Sequence, residues 1–326
     1  VTFTLPAHWV WDFWLADDGD QFHMFYLHAP KSLGDPQLRH RNARIGHATS
    51  SDLRVWTDHG EVLRPGHPEG FDGSATWTGC VVPDQRGTWT MFYTGSRFLA
   101  PTTNANIETI GIATSPDLQT WTKLPGPVSH ADGGWYETLG SSDWPEEAWR
   151  DPWVYPDPDD TRWHMLVTAR ASEGELHDRG VIGHAISDDL VTWSPAAPLS
   201  APGAGFAHLE VPQIVEIDGR LVLLFSCDTA HLAARRRPRG GGIWSVEIDS
   251  IRGPFAVEDA TLLVSEELYS GRLIRDRAGV WQMLAFRNTT TEGDFLGVLT
   301  DPMPVGWTAD GGPLALLTTS EEAHAY

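Results

Sequence analysis

The stretch Ile45–Trp56, IGHATSSDLRVW, returns as IGIATSPDLQTW at Ile110–Trp121 and as IGHAISDDLVTW at Ile182–Trp193. Each copy reads as an alternating strand, then a Ser/Asp turn, then a Trp that closes against a sheet. The copies begin 65 and then 72 residues apart. Two looser copies follow, IWSVEIDSIRGPF at Ile243–Phe255 and FLGVLTDPMPVGW at Phe295–Trp307. Repetition at this period marks an array of supersecondary units.

Ahead of each copy lies a strand, a polar turn and a second strand, starting at Trp9, Thr76, Ala148, His208 and Leu268. The turns read Asp17-Asp18-Gly19-Asp20, Asp84-Gln85-Arg86-Gly87, Asp157-Pro158-Asp159-Asp160, Asp218-Gly219-Arg220 and Asp276-Arg277-Ala278-Gly279, which is hairpin chemistry. Each unit with its partner makes a meander of four strands, one propeller blade. The sequence therefore predicts an all-β, five-bladed β-propeller, a single domain over 1–326 with a central active-site pocket. The fifth blade is expected to end near Trp307, which leaves no room for a C-terminal β-sandwich.

Composition agrees. A chain of 326 residues is within reach of one large all-β domain. The 32 Gly and 23 Pro punctuate short aromatic stretches, as strands and turns require, and the 16 Trp serve mainly as core. Asp and Glu total 44 against 23 Lys and Arg, a net charge of −21 that disfavours nucleic acid and anionic membranes and suits a small neutral ligand. No apolar run approaches the roughly 20 residues of a membrane helix. No signal segment opens the chain, so a cytoplasmic location is expected.

The first strand of a blade lines the central channel. Those strands offer Asp12 in blade one, Asp151 in blade three and Glu210 in blade four, with Thr78-Gly79 and Ser270-Gly271 at the matching positions of blades two and five. Acids inside apolar strands are costly unless bonded or paired, and Arg150 stands beside Asp151. Three of them meeting at one channel mouth suits glycoside cleavage, which needs a nucleophile or base, a protonated acid and polar groups for sugar hydroxyls. The proton donor is expected to have a raised pKa.

These residues resemble a family. Val10-Trp11-Asp12-Phe13-Trp14 resembles the nucleophile strand of levansucrases. Trp149-Arg150-Asp151-Pro152 carries the Arg-Asp-Pro motif shared by levansucrases and invertases, and Glu210-Val211-Pro212 is similar to their acid/base motif. Trp77-Thr78-Gly79-Cys80 resembles the stretch that borders their sugar pocket, with Thr78 in place of Ser. Gln21–Pro30 and Gly46-His47-Ala48 with Ser51-Asp52-Leu53 look like invertase signatures. The ordered set resembles the five-bladed fructosidase clan that joins invertases and levanases of glycoside hydrolase family 32 with levansucrases of family 68.

The resemblance implies a retaining enzyme acting on β-fructofuranosides, hydrolytic or transferring. Asp12 would be the nucleophile, Glu210 the acid/base and Asp151 the transition-state stabiliser. Arg150, Trp11, Trp14, Trp77 and Thr78 would bind the sugar. Levansucrases carry a second Glu where this chain has His208, and the invertase Asn-Asp-Pro-Asn-Gly motif is absent. Alternatives are an inverting arabinofuranosidase- or xylosidase-like propeller and a non-catalytic sugar-binding propeller. No cofactor or metal is expected, since the 14 His form no zinc-like motif. Arg235–Arg239 reads as a solvated loop, a flap over the channel or a site for a phosphorylated sugar. Cys80 is expected beside the pocket, without an activated thiol.

Overall fold

A computed structural model describes residues 3–84, 87–159, 161–289 and 294–317. Gln85 and Arg86 of the blade-two turn and Asp160 of the blade-three turn lie outside the described residues. Five antiparallel meanders follow one another. Blade one holds His8–Asp17, Phe22–Pro30, Arg44–Ser50 and Thr57–Leu63; blade two holds Ala75–Pro83, Trp89–Phe98, Asn106–Ser115 and Thr122–Lys123. Blade three holds Trp149–Pro156, Trp163–Arg170, Gly180–Ser187 and Ser194–Ala196; blade four holds Glu210–Ile217, Arg220–Cys227, Gly242–Ile248 and Thr261–Ser265. Blade five begins with Leu268–Arg275 and Trp281–Thr289.

The innermost strands pack on one another in a ring, and blade five returns to blade one. Phe3 helps to close it, its carbonyl accepting from Leu299 N at 3.0 Å. The apolar core lies between blades, where Trp14, Trp149 and Trp244 are wholly buried. This is a five-bladed β-propeller. Two details differ from the sequence reading. The third strand of blade five is split into Phe295–Leu299 and Met303–Trp307, which pair with different halves of Trp281–Thr289. The blade also runs past Trp307 to an outer strand at Leu314–Leu316.

The repeated motif is scaffold. Asp52, Asp117 and Asp189 each accept two backbone N–H groups on Oδ1, within 2.7–2.9 Å, fixing the same tight turn three times. The next residue, Leu53, Leu118 or Leu190, is left-handed, with φ of 64°, 61° and 65°. That conformation is costly for Leu. Burial of each Leu side chain offsets it, and Trp56, Trp121 and Trp193 donate Nε1–H to the Leu carbonyl at 3.1–3.2 Å. The Gly-His-Ala histidines are also core: His47 stacks on His23 with a 2.9 Å nitrogen contact, and His184 on His164 at 2.8 Å. Turn carboxylates hold the second histidine of each pair, Asp18 on His23 and Asp157 on His164.

Arg235–Arg239 is a solvated loop on blade four, anchored by one buried arginine, and not a flap. Arg236 is buried over Phe206 and donates to the carbonyls of Ala260 and Glu258, while Arg235 pairs with Asp178 at 2.6 Å. None of the five lines the central cavity. Among the described residues no helix is long and apolar enough to cross a membrane.

Candidate active site

All five innermost strands slip register at the same level of the channel. The shifts fall between Val10 and Phe13, Trp77 and Gly79, Arg150 and Trp153, Glu210 and Gln213, and Tyr269 and Arg272. A bulge bends its strand and re-aims side chains. Asp151, Val211 and Ser270 sit in their bulges at φ of 59°, 55° and 51°, a region non-glycine residues avoid and functional sites tolerate. Glu210 therefore does not match Asp151 in position, as the sequence suggested. It is the last paired residue before its bulge, level with Trp77, Arg150 and Tyr269.

The bulges open on a cavity of about 1160 Å³. Asp12, Asp151, Glu210, Arg150, Trp11, Trp77 and Thr78 all line it. Trp14 does not. Past the bulge its strand leaves the cavity, and the indole is wholly buried between blades against Phe25. Cys80 is likewise core, its thiol pushed up to about 12 by burial.

Asp12 accepts a hydrogen bond on each oxygen, from Ser270 Oγ at 2.5 Å and Thr78 Oγ1 at 2.8 Å. Burial raises its pKa, the Ser270 hydroxyl opposes this and the charge of Glu210 adds to it. Asp151 accepts from Thr168 Oγ1 at 2.8 Å and Val211 N at 3.1 Å. Burial, against the nearby Arg150 guanidinium, lifts its carboxyl to about 6.

Arg150 is the hub. It is buried and reaches Glu108 at 2.9 Å, Glu146 at 3.2 Å and Glu210 Oε1 at 2.8 Å, with Asp151 at 3.7 Å. One guanidinium cannot neutralise four carboxylates in a dry site. Glu108 gives way: burial pushes it up to about 8, so it holds its proton at neutral pH. Glu210 goes the other way. Burial would raise it, but His208, Arg150 and a 2.5 Å bond from Tyr269 Oη hold it well below the usual range. The free site thus presents Glu210 ionised, contrary to the raised proton donor expected from sequence.

The remaining wall is aromatic. His40 contacts the rings of Trp11 and Trp77 edge-on, and its carbonyl accepts from Trp77 Nε1 at 2.8 Å. Burial pushes His40 down to about 3, so the wall is neutral there. Opposite, the rings of His177, His208 and His231 surround Trp144. Glu108, Glu146, Tyr269, His40 and Trp144 escaped the sequence reading. Tyr269 alone was recoverable, because it holds the same place before its bulge as Arg150 and Glu210. Among the described residues one group of side chains could hold a metal: ligand atoms of His208, Asp228 and His231 lie within 4.8 Å of one another.

A propeller whose bulged inner strands turn three carboxylates into one sugar-sized cavity has the architecture of a glycoside-cleaving protein. Residues 13–264 match the glycosyl hydrolases family 32 N-terminal domain, and the chain belongs to that family. It is 27% identical over 179 residues to a fructan 6-exohydrolase of Beta vulgaris, covering 53% of this chain and 26% of that protein. It is 28% identical over 208 residues to a sucrose-6-phosphate hydrolase of Pediococcus pentosaceus, 63% and 36% of the two chains. The matched stretches thus span well under half of these relatives. The fold is that of an inulosucrase from Halalkalicoccus jeotgali bound to kestose, with TM-score 0.78, 22% identity and coverage of 96% and 89%. The catalytic domain of a β-fructofuranosidase of Microbacterium saccharophilum gives 0.77 at 18% identity, covering 97% and 82%.

Proposed function

We propose that the protein cleaves β-fructofuranosides with retention, through a covalent fructosyl intermediate on Asp12. The observation that carries this reading is the opposed dressing of two carboxylates in one cavity. Asp12 is held by two neutral hydroxyl donors, and Glu210 by a guanidinium and a phenol. Asp12 attacks the anomeric carbon, the bond to the leaving oxygen breaks, and that oxygen takes a proton from Glu210. Water then gives a proton back to Glu210 as its oxygen displaces Asp12. The ionised Glu210 of the free site is already the base form that the second half needs. For the first half a bound sugar takes over part of the Arg150 and Tyr269 bonding and excludes water, which favours a protonated Glu210.

Asp151 and Arg150 bind sugar hydroxyls, and Trp11, Trp77 and Thr78 border the pocket. Family membership and the names of the relatives support a fructoside substrate, and the inulosucrase fold supports transfer to a second sugar. The test is product analysis on sucrose, inulin, levan and short fructooligosaccharides. Carbon-13 NMR of fresh product, before mutarotation, reads the anomer at its anomeric carbon. The expected result is a retained anomer plus transfer products at high substrate. An inverted product overturns the double displacement and supports the arabinofuranosidase-like alternative, whose carboxyls stand about 6.5–9.5 Å apart rather than 5–5.5 Å.

A further inference from the structure

On the blade-four side of the cavity three groups converge to which the proposed reaction assigns no bond-making or proton-transfer step. His208 lies in the loop two residues before Glu210, while Asp228 precedes the single helical turn Thr229–His231 and His231 ends it. Asp228 caps that turn, its Oδ1 accepting from His231 N at 3.0 Å, and its Oδ2 meets His231 Nδ1 at 2.7 Å. The His208 and His231 rings lie 4.5 Å apart. A ligand atom from each of the three falls within 4.8 Å of the others.

The independent sign of a missing ligand is His208 Nε2. The side chain is 4% exposed, it faces the cavity, and this nitrogen has no hydrogen-bond partner. Its nearest acceptor is Glu210 Oε2, at 3.4 Å. That ion-pair contact is too long and poorly aimed to count as a hydrogen bond, so the buried nitrogen is under-bonded where such atoms are normally satisfied. The other ring nitrogen, Nδ1, stands 3.5 Å from Arg150 Nη2, whose bond to Glu210 Oε1 is shorter at 2.8 Å. Ligation through Nε2 moves the ring proton to Nδ1, which then faces the Arg150 Nη2 donor and gives up that 3.5 Å contact.

We propose that His208, Asp228 and His231 bind one divalent transition-metal ion of the zinc class, and that the bound ion engages Glu210 and stops proton transfer. The binding half stands on its own; the inhibitory half rests on the function proposed above. Two imidazoles and a carboxylate suit zinc, cobalt, nickel or copper and not magnesium or calcium. Around a tetrahedral zinc with bonds of about 2.1 Å, ligand atoms sit about 3.4 Å apart. The three ligand atoms lie within 4.8 Å of one another, so binding requires the side chains to adjust to that spacing. The Asp228 and His231 side chains are 33% and 37% exposed, so the ion enters through the cavity and meets His208 at its back. Binding displaces the proton shared by Asp228 and His231. Glu210 Oε2 is then the nearest further oxygen for the open position.

The experiment is calorimetric titration of the chelator-treated chain with Zn²⁺ near neutral pH, with Co²⁺ as a visible-absorbing probe of coordination. The expected result is one ion per chain. Affinity should fall at least tenfold in Asp228→Asn and in His231→Gln, and severalfold in Glu210→Gln; Ca²⁺ should give no heat. Thermal melts establish that each variant folds. No binding, or affinity unchanged in both Asp228→Asn and His231→Gln, overturns the site. Unchanged affinity in Glu210→Gln overturns the engagement of Glu210. With a fructoside as substrate, turnover should fall over the Zn²⁺ range that fills the site and return on chelation. Full turnover at saturating Zn²⁺ overturns the inhibition. Calorimetry needs no turnover, so a wrong substrate class and a wrong metal site give different results.

Discussion

Removing the hydroxyls that hold Asp12 should move the acid limb of the rate profile upward. Ser270 Oγ donates at 2.5 Å and Thr78 Oγ1 at 2.8 Å, and in the proposed reaction Asp12 attacks only as the carboxylate. A hydrogen bond to a charged group contributes about 1.5–3 kcal/mol. At about 1.4 kcal/mol per pKa unit, each lost hydroxyl raises the Asp12 pKa by about 1–2 units. Burial has already lifted it, so the shift starts from a raised value. Protonated Asp12 is inactive, and the acid limb of kcat/KM reports the free protein. Ser270→Ala and Thr78→Val should therefore lose rate at low pH and approach wild type as pH rises. The double variant should shift further than either. Ser270 is left-handed, so Ser270→Gly is the control that removes the hydroxyl and relieves the backbone. Asp151, pushed up to about 6, titrates nearby but is common to every variant, so the shift is read as a difference. The assay is kcat/KM against pH on a fructoside at constant ionic strength. An acid limb that stays in place in all variants refutes the role given to these hydroxyls.

Asp12→Asn and Glu210→Gln should each cost several orders of magnitude in turnover with melting temperatures close to wild type; near-normal rates in either would remove that residue from the chemistry. Burial pushes His28 and His184 down to about 4 and His47 to about 3, whereas unfolded histidine titrates near 6.5. The unfolded chain then binds more protons below pH 6.5. Stability present above that pH should be lost as pH falls towards about 4, by about 1.4 kcal/mol per pH unit for each histidine. Urea unfolding across this range checks the slope, and a flat profile would contradict the buried neutral state. Blade two has Thr90 and Ile112 where blades one and three have their stacked histidines. His164→Thr with His184→Ile should accordingly be less destabilising than the two single changes added, by about 0.5–3 kcal/mol in a double-mutant cycle. Strict additivity would mean that the rings do not act as a pair.

The propeller was legible because its signal is repeated and local. A Ser-x-Asp-Leu-x-x-Trp turn is decided by its own hydrogen bonds, and three copies return the same geometry. What failed at the fold level failed where the repeat loosens. The fifth copy carries Thr300-Asp301-Pro302 inside its strand, and the break this makes pushes the outer strand beyond Trp307. The Arg235–Arg239 run is the solvated loop its composition suggests, but composition could not show that Arg236 within it is buried with its guanidinium spent on carbonyls.

The site was half legible, and the division has a physical cause. Asp12, Asp151, Arg150 and Glu210 stand out in sequence because charge within an apolar strand needs a reason. Trp14 was misplaced because the resemblance carried the whole strand over as a block, and a bulge changes which side chains face the channel. The protonation states were out of reach for a different reason: they belong to the group, not to any residue. Arg150 is shared among carboxylates contributed by three blades and the loop that precedes blade three, and Glu108 of blade two, pushed up to about 8 by burial, shares the guanidinium with Glu210 in its neutral form. Glu108→Gln preserves that neutral form and should leave Arg150 on Glu210. Glu108→Asp shortens the reach to Arg150 and should disturb Glu210 more, although it keeps the acid. The order of those two effects on kcat/KM follows only from the assembled ring, and the reverse order would mean that Glu108 acts as an ionised partner of Arg150.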